Sequence, residues 1–198
     1  MIKGKKIQEY RKTEFPVNRI FLERWSPRAM SGEELTEKEL MSLFEAAKWA
    51  PSSSNNQPWR FFYAKKNSKH WEKFLNLLNP GNREWAENAS VLIVVASKTT
   101  FDFNESFSRT HSFDSGSAWV SLALQASLNG LVAHGMEGFD YDKAKKELEL
   151  PENFQVEAMI AVGKPGKTEL LSEKNQKREF PSDRKNLSET VFEGKYKK

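Results

Sequence analysis

The run Ala50-Pro51-Ser52-Ser53-Ser54-Asn55-Asn56-Gln57-Pro58-Trp59 concentrates hydroxyls and amides in a way that suits recognition of a planar, polar ligand. Asn and Gln side chains each carry a carbonyl acceptor and an NH2 donor, so they can read a ring edge that alternates the two. Ser and Asn also tolerate unusual backbone geometry, which lets main-chain groups face a ligand. The same composition suits an ordinary helix-to-strand loop closed by Pro58. A second group is Arg24-Trp25-Ser26-Pro27-Arg28, two guanidiniums around a hydroxyl. Arg presents a planar fork of donors that matches phosphate oxygens, although a solvated turn would have the same residues. A third is His134-Gly135-Met136-Glu137-Gly138-Phe139-Asp140. Glycines there let the backbone approach a ligand closely. The plainer alternative is a strand-to-helix turn with Asp140 as N-cap.

The absences narrow the chemistry. The sequence contains no Gly-x-Gly-x-x-Gly, P-loop, His-Glu-x-x-His or Gly-x-Ser-x-Gly motif, and its 3 histidines are dispersed. With 0 cysteines it has no disulfide, thiolate metal site or Cys nucleophile, and the default compartment is cytoplasmic. No residue set activates a nucleophile or holds a metal. An enzyme with this inventory needs a bound cofactor to carry the chemistry. Lys and Arg number 31 against 27 acids, a net charge of +4. So modest an excess fits a basic pocket for an anionic cofactor as well as it fits nucleic acid. The apolar runs, such as Val91–Ala96, are too short to span a membrane, and no apolar h-region of a signal peptide is visible.

These groups need elements to hold them, and 198 residues suffice for a single domain with its own core. Residues 1–15 are polar with few apolar anchors and suggest an arm or short helix lying on the body or on a partner. Val17–Leu22 has a short apolar helix pattern. Thr36 with Glu39 forms a capping box, and Leu40, Leu43, Phe44 and Ala47 follow at helical spacing, so a helix is expected up to Trp49. Arg60–Ala64 is expected as a strand, Lys69–Leu78 as a helix stopping at Asn79-Pro80-Gly81, and Glu84–Ser90 as a turn or two of helix. Val91–Ala96 is uniformly apolar and predicts a central strand. Thr99–Phe113 carries four Phe without a clean period and suggests either a lid or a surface excursion. Asp114 is expected to cap a helix over Ser115–Leu128, apolar nearly all round and therefore buried in the core or across a subunit interface. Lys143–Leu150 predicts a charged helix and Val156–Gly163 the last core strand. The tail from Lys167 is polar, with an apolar pattern returning at Leu187–Phe192.

Pro51 through Trp59 spell Pro-Ser-Ser-x-Asn-x-Gln-Pro-Trp, which resembles the signature of the FMN-dependent nitroreductase family at every fixed position. Arg24, Ser26 and Arg28 match that family's Arg-x-Ser-x-Arg/Lys, and Glu137-Gly138-Phe139-Asp140 matches its Glu-Gly-Phe-Asp turn. Arg184-Lys185 match its basic tail segment, with Asn186 where proline is usual, a departure that bears on the path of the tail and on the Lys185 contact. The resemblance implies an α+β, nitroreductase-like fold: a mixed central sheet flanked by helices, in a homodimer whose residues 167–198 extend onto the partner subunit. It implies FMN as cofactor and NAD(P)H as co-substrate, with a small-molecule acceptor such as a nitro compound or quinone reduced in a ping-pong cycle. Arg24, Ser26, Arg28, Arg184 and Lys185 would hold the phosphate and ribityl chain. Pro51, Ser52, Ser53, Ser54, Asn55 and Gln57 would face the ring, and the Glu137 and Gly138 backbone would lie beside flavin N5. No side chain is implied as catalytic acid or base, no metal is required, and neither nucleic acid nor membrane is an expected partner. A specialised flavin reaction such as reductive dehalogenation, or a non-enzymatic binding module, is the alternative.

Overall fold

Val91–Lys98 forms strand β2, and every residue from Val91 to Ser97 in it is buried. A run of β-branched and apolar residues with no polar face forms a strand covered on both sides. In the computed structural model, which describes residues 7–196, β2 lies between β1 (Trp59–Lys65) and β4 (Phe154–Gly163). A short β3 (Val132–Met136) lies beyond β4, so the strand order is β1-β2-β4-β3. Representative partners are Phe62 with Val94, Val94 with Met159, and Gly135 with Ile160.

Every one of these pairings is antiparallel, which corrects the expectation of a mixed sheet. Strands β2 and β3 do run the same way, as a helical crossover between them requires. They are not neighbours, because β4 inserts between them and pairs antiparallel with both.

Two hydrophobic layers cover the sheet. On one face Leu92, Val94 and Met159 pack with Phe74 of α3 (Trp71–Leu75), Trp85 of α4 (Pro80–Ala86) and Ala144 of α6 (Tyr141–Glu147). On the other, Ile93 and Ile160 pack with Leu43 of α2 (Glu37–Lys48) and Leu122 of α5 (His111–Leu128). Each fully buried Leu or Ile contributes about 2 kcal/mol of transfer free energy, so these layers fix which helix faces lie inward. Two short helices, α1 (Ile20–Glu23) and α7 (Glu173–Gln176), belong to the segments that carry the arginines discussed below.

Helix α2 begins as its sequence predicts. The Thr36 hydroxyl accepts from the Glu39 amide at 3.2 Å, and the Glu39 carboxylate accepts from the Thr36 amide at 2.8 Å. Other starts differ. Asn79-Pro80-Gly81 opens α4 rather than only closing the helix before it: the Asn79 side chain accepts from the Asn82 amide at 2.9 Å, and Pro80 occupies the first turn, where no N–H is needed. Helix α5 starts at His111 rather than Ser115, so Asp114 is a first-turn residue and not the cap. The buried imidazole explains the shift, because His111 Nδ1 lies 2.7 Å from the Ser97 hydroxyl and ties the first turn to the end of β2. Asp140 does cap α6, accepting from the Lys143 amide at 2.9 Å. Of the arm expected over 1–15, residues 1–6 lie outside the described residues; Ile7–Glu9 forms a 3-10 turn.

Candidate functional site

Residues 24–28 follow α1 along the body, and the segment after α7 returns to meet them. Between the two lies a cavity of about 380 Å3 lined by Arg11, Arg24, Trp25, Ser26, Arg28, His134, Arg178, Phe180, Ser182 and Arg184. Arg24, Ser26, Arg28 and Arg184, singled out in the sequence, therefore meet in one hollow. Within it Arg24 Nη1 lies 3.4 Å from the Ser26 hydroxyl. A carboxylate borders this set at Glu179, 3% exposed, which accepts from the amides of Arg28 and Ala29 at 2.9 Å and stands 4.0 Å from the Arg28 guanidinium.

Charge is crowded here. Burial holds Arg24 below the ordinary arginine range, and Arg184 lowers it further. Arg28 is likewise lowered by burial and by Arg178, with Glu179 opposing. Guanidiniums do not deprotonate in proteins, so the crowding appears as positive potential seeking an anion.

His134 faces the same hollow from β3. Its Nδ1–H donates to the Pro27 carbonyl at 3.0 Å, and its ring packs 4.6 Å from Trp85. Burial pushes the imidazole down to about 4, against the pull of the Pro27 carbonyl. The unfolded chain binds the proton near pH 6.5 and the folded chain only near 4, so stability falls as pH drops through that window. The expected cost is about 3 kcal/mol between the two values. Urea midpoints at pH 7 and pH 4.5 should therefore diverge less in His134→Asn than in the parent chain. An equal drop in both would remove His134 as the cause.

The amide-rich loop forms a second, separate group. Ser53–Asn55 makes a 3-10 turn, and Ser54, Asn55 and Gln57 all have positive φ, at 51°, 52° and 49°. Three non-glycine residues in the left-handed region within one short loop are costly and persist only where the surroundings hold them. Here the holds are specific. Asp114 of α5 accepts from the Ser53 amide at 3.0 Å, and the Ser52 hydroxyl accepts from the Gln57 amide at 3.0 Å. Gln57 Nε2 donates to the Asn55 side-chain carbonyl at 3.2 Å, leaving the Asn55 NH2 as the end of that amide available to a ligand acceptor. Asn56 ties the loop to the Phe-rich segment, donating to the Thr100 carbonyl at 3.3 Å and accepting from the Asp102 amide at 3.0 Å. Pro51 is exposed at the loop's entrance.

Glu137 and Gly138 follow the end of β3, with Glu137 exposed. The Gly138 carbonyl accepts from the Asn79 amide at 3.1 Å and from Asn82 Nδ2 at 3.0 Å. A Cβ on Gly138 would sit 2.3 Å from Asn79 Nδ2 and 2.8 Å from Asn82 Nδ2, so a larger residue there would have to displace the side chains that begin α4. Lys185 parts from the others: it lines a neighbouring apolar hollow with Phe15, Val17, Phe21 and Leu187 and does not line the arginine cavity.

The loop enters β1 at one edge of the sheet, while His134 and the Pro27 contact belong to β3 at the other. Three inter-strand spacings separate those edges, about 14 Å. One chain thus presents a cationic half-site and an amide half-site apart from each other. Among the described residues no cluster of three or more His, Asp or Glu is arranged to hold a metal, and no helix is long and apolar enough to cross a membrane.

Sequence reasoning passed over Arg11, Arg178, Phe180 and Ser182. A signal for three of them was present: every second residue from Arg178 to Arg184 lines the cavity, the period of an extended segment with one face toward a site.

Sheet order and helix placement define an α+β protein that carries a cationic cavity and an amide-rich loop. The chain belongs to the nitroreductase family, whose model matches residues 22–79 and 67–164. It superimposes with a TM-score of 0.91 on a crystal structure described as an oxidoreductase containing FMN, 46% identical and covering 94% of this chain and 96% of that one. A provisionally named nitroreductase from Desulfovibrio desulfuricans, solved in complex with FMN, gives a TM-score of 0.70 at 25% identity, covering 93% and 100% of the two chains. A protein of Rhodopseudomonas palustris (strain TIE-1), provisionally named NADH dehydrogenase/NAD(P)H nitroreductase, is 24% identical over 143 residues, 63% of this chain and 72% of that protein.

Proposed function

We propose that this chain is an FMN-dependent oxidoreductase that takes electrons from NADH or NADPH and passes them to a nitro compound, quinone or similar small acceptor. The observation that carries the reading is the meeting of Arg24, Ser26, Arg28 and Arg184 in one cavity short of carboxylates. That donor set fits a phosphate monoester: planar forks and a hydroxyl around a dianion. The FMN content of the relative sharing 46% of its residues supports the same cofactor.

In this reading Arg24, Arg28 and Arg184 bind the phosphate, and Ser26 a phosphate or ribityl oxygen. Asn55 donates its NH2 to a carbonyl of the ring, with Gln57 holding the other end of the amide. Ser52, Ser53 and Ser54 form the adjoining wall, and the backbone at Glu137 and Gly138 borders the reacting edge. Bound FMN would supply a reversible two-electron carrier, which no side chain in this sequence can. The chain's own part is to bind, orient and exclude water; no side chain is assigned as acid or base.

The separation of the half-sites favours a homodimer in which the loop of one copy completes the cavity of the other. Helix α5 supplies a surface for it, since Phe113, Val120 and Leu128 lie along one side and are 77%, 48% and 67% exposed. Absent cysteines and a soluble cofactor fit a cytoplasmic setting. The test is spectroscopic: purified protein incubated with FMN and desalted should keep the flavin's visible absorbance, and anaerobic NADH or NADPH should bleach it. A protein that retains no FMN sinks the reading. One that retains FMN but is bleached by neither nucleotide keeps the cofactor and loses the reductant.

A further inference from the structure

Arg11 is a cation with an unusual set of partners. It is 8% exposed, and its guanidinium donates to three backbone carbonyls: Nη1 to Leu22 at 2.5 Å and to Arg24 at 2.7 Å, and Nε to Ser182 at 2.9 Å. No carboxylate is among these partners. Burial disfavours its charge most, Arg184 and Arg24 disfavour it further, and the Asp183 carboxylate, the smallest of the four influences, favours it. A cation buried beside two others is a poor stabilising device unless its position is used.

The carbonyls it holds indicate the use. One belongs to Arg24 itself, one to Leu22 at the end of α1, and one to Ser182, two residues before Arg184. Arg24 and Arg184 come from segments far apart in sequence, so no local geometry sets the distance between their side chains. A guanidinium is rigid and planar, with donors at fixed angles. By spanning both backbones it sets that distance, and it brings the 7–15 segment into register with the other two.

We infer that Arg11 is a positioning residue for the anion site, holding the backbones of Arg24 and Arg184 at the separation that lets both guanidiniums reach one phosphate. The inference rests on reading the cavity as the FMN phosphate site. The Arg11 Nε and Nη1 are engaged with carbonyls, so its action on the site runs through the backbones those bonds hold. Lysine keeps the charge but offers one compact ammonium in place of the fork, so Arg11→Lys separates geometry from electrostatics.

The experiment compares FMN with riboflavin, which lacks the phosphate. Dissociation constants for both are measured by flavin fluorescence on the full chain, on Arg11→Met and on Arg11→Lys, with circular dichroism to show that each is folded. The parent chain should favour FMN strongly. Both variants should lose FMN affinity by about thirtyfold, the size of losing well-placed charge-assisted hydrogen bonds, while riboflavin affinity changes less than about twofold. Loss of both ligands in equal proportion would make Arg11 a general structural residue and overturn the inference. Full FMN affinity in Arg11→Lys would reduce its role to charge and overturn it too, and that variant decides the matter if Arg11→Met does not fold. A parent chain that binds FMN no better than riboflavin would overturn the phosphate reading itself, a result distinct from either.

Discussion

Arg24→Ala is expected to weaken FMN binding by about a hundredfold while leaving the ligand-free protein as stable as the parent or slightly more so. The first half follows from the bonds to the anion that alanine cannot make: a guanidinium bonded to a phosphate contributes about 2–3 kcal/mol through charge-assisted hydrogen bonds in a half-buried setting. The second half follows from what Arg24 costs when no anion is present. Burial and the nearby Arg184 both disfavour its charge, and among the described residues no carboxylate lies within ion-pair distance of it. Truncation therefore removes a repulsion from the empty cavity and a bond from the filled one. An FMN titration with thermal melting of both forms reads the two effects separately. The parent's affinity should also fall with added salt more steeply than the variant's, because screening acts on the charge that the variant lacks. Unchanged FMN affinity in Arg24→Ala would refute the phosphate role outright.

The residues whose role depends on their neighbours in sequence were the legible ones. Arg24, Ser26 and Arg28 line one cavity because alternate residues of a short extended segment face the same way, and that periodicity is visible in the sequence. Thr36 and Glu39 cap each other across three residues, and Val91–Ser97 is buried because almost nothing in it is polar. What depends on distant parts of the chain was not legible. Arg11 joins the site only because the 7–15 segment packs against both 22–24 and the returning tail, and although alternate residues from Arg178 share a face, no local pattern encodes where that face docks. His111 starts a helix because Ser97, on another element, holds its ring. The sheet is antiparallel throughout because β4 inserts between two strands that run alike, and insertion order is a property of the whole fold. Lys185 sits beside Arg184 in sequence, yet Arg184 borders both hollows and Lys185 only the neighbouring one, a division set by how the tail passes the 11–22 segment.

Glu179→Ala should destabilise the chain by about 3–4 kcal/mol, and so act in the direction opposite to Arg24→Ala. Glu179 is 3% exposed, and its two oxygens accept from the Arg28 and Ala29 amides at distances of 2.9–3.0 Å. Removing it strands two inward-facing N–H groups and takes away the carboxylate that opposes the mutual repulsion of Arg28 and Arg178. Breaking a buried charge pair from one side costs about 3–5 kcal/mol, since the remaining charge stays desolvated. For a chain of this length that is a fall in melting temperature of about 10 °C. Glu179→Gln keeps the carbonyl acceptor for the two amides and loses only the charge, so it should recover about half of the deficit. The cavity of a folded Glu179→Gln is more positive than the parent's, and its affinity for FMN should hold or rise as its stability falls. Stability and cofactor affinity moving in opposite directions in one variant is the mark of a carboxylate that restrains an anion site. A variant that loses both together would mean that Glu179 shapes the cavity rather than balances its charge.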